Sequence, residues 1–91
     1  MHPTTGRLQL RTTDLHWRES DGELIALDAR GSTYLAANTS GALLWQALVE
    51  GATREGLAQK LMATYGIARD RALADADAYI AELIGRGLLQ T

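Results

Sequence analysis

The stretch Glu23-Leu24-Ile25-Ala26-Leu27-Asp28-Ala29-Arg30-Gly31-Ser32-Thr33-Tyr34-Leu35-Ala36-Ala37-Asn38 decides the fold. Two strand-like runs, residues 23–28 and 32–37, flank Asp28-Ala29-Arg30-Gly31, a turn in which Gly31 can take positive φ at little cost. A connection this short joins antiparallel neighbours. Upstream, Ser20-Asp21-Gly22 is a second turn signal, and Leu15-His16-Trp17-Arg18 before it reads as a short strand. The three strands form a meander whose third member, residues 32–37, is an edge unless something covers it. A further extended piece, Leu8-Gln9-Leu10, precedes them.

Beyond Asn38 the pattern becomes helical. Asn38 is an N-cap, able to accept a bond from an orphan amide of the next turn. The first helix covers residues 39–50 with Ala42, Leu43, Trp45, Leu48 and Val49 apolar, and Gly51 fits the position past its end. Thr53 caps a second helix with the stripe Leu57, Ala58, Leu61 and Tyr65, stopped by Gly66. A third spans residues 69–85, with Ala72, Leu73, Ala76, Tyr79, Ile80, Leu83 and Ile84 on one broad face. Asp70 in its first turn and Arg86 near its end suit the helix dipole. Gly87 ends it, and Leu88-Leu89 fold back onto the core. A three-stranded antiparallel sheet followed by three helices makes an α+β domain, with the helices on one face of the sheet in a winged helix-turn-helix-like order. Residues 1–10 are expected as a partly flexible tail and residues 11–91 as one domain.

Composition removes several classes of function. The chain has 91 residues, 46% hydrophobic and 22% charged, with a net charge of -2. A domain that lives on phosphate backbones is usually basic, so nucleic acid is not an expected partner. With no cysteine, disulfides, thiolate zinc sites and cysteine catalysis all fall away. No apolar run approaches the roughly 18 residues that span a bilayer, and nothing after Met1-His2-Pro3 reads as a signal peptide. No membrane partner and a cytoplasmic location are therefore expected.

No catalytic constellation is legible. His2 lies in the tail. His16 stands near Asp14, but no third group or cleft is indicated, and an exposed strand histidine accounts for it. The two histidines and scattered carboxylates lack metal-ligand spacing, the glycines form no phosphate-binding loop, and Ser20, Ser32 and Ser40 sit at turns or caps rather than in a nucleophile elbow. The chain is read as no enzyme, with no metal and no cofactor. Trp17 and Trp45 read as core or hairpin-packing residues. Strand alternation puts Leu35 and Ala37 on one face and Tyr34 and Ala36 on the other; Tyr34 then either meets a ligand beside the free edge or packs on the surface. A winged-helix protein reads DNA with its last helix, but here that helix carries Asp70, Asp75, Asp77 and Glu82 against Arg69, Arg71 and Arg86, which phosphates would repel.

The runs Asp21-Gly22-Glu23-Leu24, Leu27-Asp28, Gly31-Ser32-Thr33-Tyr34, Asn38-Thr39-Ser40-Gly41 and Leu44-Trp45, then Asp75-Ala76, Tyr79-Ile80, Leu83 and Arg86-Gly87-Leu88-Leu89, in that order and spacing, resemble the PqqD-like proteins over nearly everything after Arg11. The resemblance implies three strands and three helices in a winged-helix-like arrangement. It also implies a role as a recognition element for ribosomally made, post-translationally modified peptides. The leader of a precursor would add as a fourth strand beside the third strand and lie against helix three, for delivery to a separate maturation enzyme. That enzyme is a leader peptidase with an ATP-dependent cyclase in lasso-peptide systems; a radical-SAM maturase is the alternative, and a winged-helix DNA-binding protein the remote one. One departure stands out: many relatives carry leucine where this chain has Ala37, leaving a looser core there or one filled by Trp45.

Physics agrees with the resemblance, because an edge strand is a row of unpaired amides and carbonyls that templates an incoming peptide. The expected peptide contacts are Ser32, Thr33, Tyr34, Leu35, Ala36 and Ala37 on the strand. On helix three, stepping 100° per residue, they are Ala72, Asp75, Ala76, Tyr79 and Leu83, the flank bordered by charge. Leu73, Ile80 and Ile84, on the other flank, are expected in the core.

Overall fold

The computed structural model describes residues 7–90. Six strands and three helices follow one another as β1 (Arg7–Leu10), β2 (Leu15–Ser20), β3 (Glu23–Asp28), β4 (Thr33–Ala37), α1 (Thr39–Glu50), β5 (Ala52–Thr53), α2 (Arg54–Tyr65), α3 (Arg69–Gly85) and β6 (Leu89–Gln90). The expected meander is β2-β3-β4, antiparallel throughout and followed by the three expected helices. Asp21 and Gly22, at φ 55° and 79°, form the two-residue turn between Ser20 and Glu23; positive φ at both central positions is the type I′ signature, whose twist matches the strands it joins. The next turn departs from expectation. Positive φ falls on Ser32, at 52°, and not on Gly31, so Ser32 belongs to the turn and β4 begins at Thr33.

A second sheet was not anticipated. In the order β5-β1-β6, Arg7–Leu10 pairs antiparallel with Ala52–Thr53 on one side and with Leu89–Gln90 on the other. Arg7–Leu10, expected as part of the tail, is thus a strand with Leu10 in the core; the rest of the expected tail, residues 1–6, lies outside the described residues. Arg11 anchors this region. Its guanidinium donates to Asp28 Oδ1, to the Thr13 carbonyl at 2.9 Å and to the Gly87 carbonyl at 2.9 Å. Burial pulls the Asp28 carboxyl up, but the Arg11 hydrogen bond and charge, with the Arg30 and Gly31 amides, outweigh it and hold the group below its usual range.

The core lies between the inner face of the meander and the helices. Leu15, Leu24 and Ala26 meet Trp45, Leu48, Leu57, Leu61 and Leu83, and Trp45 stands edge-to-face against Trp17 with centroids 6.2 Å apart. Caps behave as read. Asn38 accepts from the Gly41 amide at 3.1 Å, and Thr53 from the Gly56 amide at 3.0 Å. Gly87, at φ 73°, closes α3 in a Schellman motif: its amide donates to Ile84 and that of Leu88 to Leu83, which drops Leu88 into the core. Among the described residues no helix is long and apolar enough to cross a membrane.

Candidate functional site: a groove between β4 and α3

β4 is paired with β3 on one side, while its other edge has no partner among the described residues. Register fixes which side chains face where. Leu35 and Ala37 lie opposite Ala26 and Leu24, so they point to the helices. Tyr34 and Ala36 lie opposite Leu27 and Ile25, so they point outward. α3 runs alongside this free edge, and between the two is a groove of about 540 Å³. One wall is Leu35, Ala36 and Ala37; the other is Arg71, Asp75, Tyr79 and Glu82, a single row of α3. Leu44, Leu61, Tyr65 and Ile67 close it with apolar surface, and Asn38, Ser40 and Gly41 bring in the first turn of α1.

Small residues make the floor. A Cβ at Gly41 would sit 2.9 Å from the Ala37 methyl and 3.5 Å from Cε1 of Tyr79, so the close approach of strand, α1 and the Tyr79 ring requires glycine there. Trp45 does not occupy the space left by Ala37. It is fully buried against Trp17, and Ala37 opens onto the groove instead.

Tyr79 is the most unusual group present. Its hydroxyl is buried yet has no hydrogen-bond partner among the described residues. Burial, and secondarily the charge of Glu82, push its pKa above the ordinary tyrosine value, so the hydroxyl remains a donor without an acceptor. Around it the charged rim is solvated. Arg71 and Asp75 approach to 3.8 Å, and Arg86 and Glu82 to 3.4 Å, all substantially exposed; such pairs contribute little to stability and leave charge available at the rim.

The expected contact residues divide into three groups. Leu35, Ala36, Ala37, Asp75 and Tyr79 line the groove together. Thr33 and Tyr34 are on β4 outside the groove, Tyr34 being 70% exposed, and Ser32 is in the turn. Ala72, Ala76 and Leu83 have no exposed surface and belong to the core beneath the helix. Of Leu73, Ile80 and Ile84, expected in the core, Leu73 and Ile80 are half-buried and pack against it, while Ile84 is 52% exposed. The deepest part of the apolar arc of α3 is Ala72, Ala76 and Leu83, with the longer Leu73, Ile80 and Ile84 at its margin. Arg71 and Glu82 also line the groove but are not among the expected contacts; the i, i+4 spacing of Arg71, Asp75 and Tyr79, continued to Glu82, is the signal that places them on the same row. No His, Asp and Glu cluster suited to a metal ion exists among the described residues.

The family model for coenzyme PQQ synthesis protein D (PqqD) matches residues 23–89, from the start of β3 into β6. The chain belongs to the PqqD family. Two solved structures resemble this PqqD-family chain over almost its whole length. TbiB1 in complex with the TbiA(beta) leader peptide is 22% identical, with a TM-score of 0.82 over 90% of this chain and 94% of that one. A lasso peptide synthetase B1 complexed with its leader peptide is 27% identical, with a TM-score of 0.80 over 92% of this chain and 98% of that one. Among curated proteins none matches the sequence.

Proposed function

We propose that this PqqD-family protein captures the leader of a ribosomally made precursor peptide and presents it to a separate processing enzyme. The observation that carries the reading is the unpaired, uncharged edge of β4 forming one wall of a groove whose other wall is α3. An extended peptide added to that edge gains main-chain hydrogen bonds, while its alternate side chains enter the groove. Thr33 and Tyr34 supply backbone at the start of the edge; Leu35, Ala36, Ala37, Asp75 and Tyr79 supply the walls; Ala72, Ala76 and Leu83 hold α3 in place from below. Ser32 sets the turn that starts the strand. Likeness to a leader-bound lasso peptide synthetase B1 supports a leader peptidase and cyclase as the enzymes served. The chain itself contributes binding and no chemistry, in the cytoplasm where precursors are made.

The test is fluorescence polarisation with labelled leader peptide from the precursor encoded beside the protein, followed by hydrogen exchange of the complex. Saturable binding with slowed exchange at residues 33–37 is expected. Binding that leaves those amides unchanged and protects β2 or α2 would overturn strand addition.

A further inference from the structure

Among the described residues no element covers the outer face of the meander, since the helices pack on the inner face. Two rows of its side chains reach the free edge, His16–Leu27–Tyr34 and Arg18–Ile25–Ala36, and the shorter Ser20–Glu23 row lies beyond them at the β2–β3 turn. The β2 end of each of the two long rows carries a basic-type side chain, and the rest of those rows is apolar up to the free edge. Ile25 is 55% exposed and Tyr34 70%, and together with Leu27 and Ala36 they make a contiguous patch. Arg18 makes no ion pair with any described residue.

From this we infer that the outer face is the docking surface for the processing enzyme, and that a bound leader completes it. This rests on leader capture at β4. Because side chains alternate along a strand, a peptide paired with β4 sends every second residue into the groove and the others outward. Those outward residues lie beside Tyr34 and Ala36 and extend both rows by one position. An enzyme seated there touches protein and substrate at once, so its affinity for the pair exceeds that for the empty protein. The complementary surface on the enzyme is an apolar patch flanked by carboxylates that meet Arg18, since association of this kind is steered by opposite charge.

Ile25→Glu and Arg18→Glu test the idea. Both side chains project from the outer face away from core and groove, and circular dichroism checks that each variant is folded. Each is assayed for labelled-leader binding by polarisation, and for cleavage of full-length precursor by the leader peptidase encoded with it, over a range of adaptor concentrations. Leader affinity is expected to stay within twofold of wild type, while half-maximal cleavage needs at least tenfold more of either variant. Adding free leader should also tighten capture of the peptidase by the immobilised wild-type protein. Unchanged cleavage curves with intact leader binding overturn the docking surface alone. Concentration-dependent dimers of the wild type that Ile25→Glu abolishes would reassign the face to a second copy. A wild type that does not bind leader removes the underlying reading.

Discussion

Along β2 the residues are Leu15-His16-Trp17-Arg18-Glu19-Ser20, and along β4 they are Thr33-Tyr34-Leu35-Ala36-Ala37. Both are edges of the same sheet, yet they present different chemistry to an incoming strand. β2 carries adjacent opposite charges. Its Trp17 is held against Trp45, and its Glu19 accepts from Gln46 Nε2 at 2.6 Å, so the inward side chains are tied to α1. β4 carries no charge and no proline, and beside it the helix layer stands back to leave the groove. Proteins normally blunt exposed edges with charge or cover, because unpaired amides and carbonyls recruit foreign strands. Protection at one edge and its absence at the other is the asymmetry that the proposed docking of a peptide at β4 requires.

The largest effect should come from the sealed side. Trp45 is fully buried, and Trp45→Ala is expected to cost about 3–5 kcal/mol of stability, measured by urea denaturation. Trp17→Ala, half in solvent, should cost far less and leave leader affinity unchanged. If Trp17→Ala abolishes leader binding in a folded protein, the two edges are not functionally distinct.

On the open side, Tyr79→Ala should weaken leader binding by on the order of 1–3 kcal/mol if the ring is an anchor of the groove, read by polarisation titration. Its smaller counterpart sharpens the point. Tyr79→Phe removes a buried hydroxyl that has no partner among the described residues, so stability should hold or rise. Leader affinity should fall by about 1 kcal/mol where the peptide supplies the missing acceptor. Unchanged affinity in Tyr79→Phe would mean that the hydroxyl finds no acceptor in the complex.

The smallest effect concerns pH and the root of the β3–β4 hairpin. The folded pKa of Asp28 lies below its ordinary 3.8, so the unfolded chain binds the proton first as pH falls. The Arg11–Asp28 contribution is therefore complete above the ordinary value and is lost as pH drops through the lower folded pKa. Thermal melts between about pH 6 and pH 2 should show a falling midpoint at the acid end, and Asp28→Asn should flatten part of that fall. A wild-type curve with the same acid slope as Asp28→Asn would show the pair to be inert.

How much of this was legible beforehand differs by element. Asn38, Thr53 and Gly87 marked helix limits correctly because caps are local: a side chain or a positive φ acts on the adjoining turn. Local alternation likewise placed Leu35 and Ala37 on one face of the edge strand and Tyr34 on the other. The two-residue strands β5 and β6 were invisible, since neither has room for a periodicity and each exists through pairing with Arg7–Leu10 from far along the chain. The same limit applied to α3. Periodicity shows an apolar arc, but which part is buried and which borders the groove depends on how closely the helices pack.

The sequence by itself determined the meander and the three helices in their order, the open β4 edge and the kinship to the PqqD family, because these follow from local patterns and short-range geometry. Only the tertiary structure decided that Arg71 and Glu82 face β4 while Ala72, Ala76 and Leu83 do not, that Ala37 opens a groove, and that the Tyr79 hydroxyl lacks a partner among the described residues. Those facts depend on how closely distant segments pack, which burial of the whole core sets and no single stretch encodes.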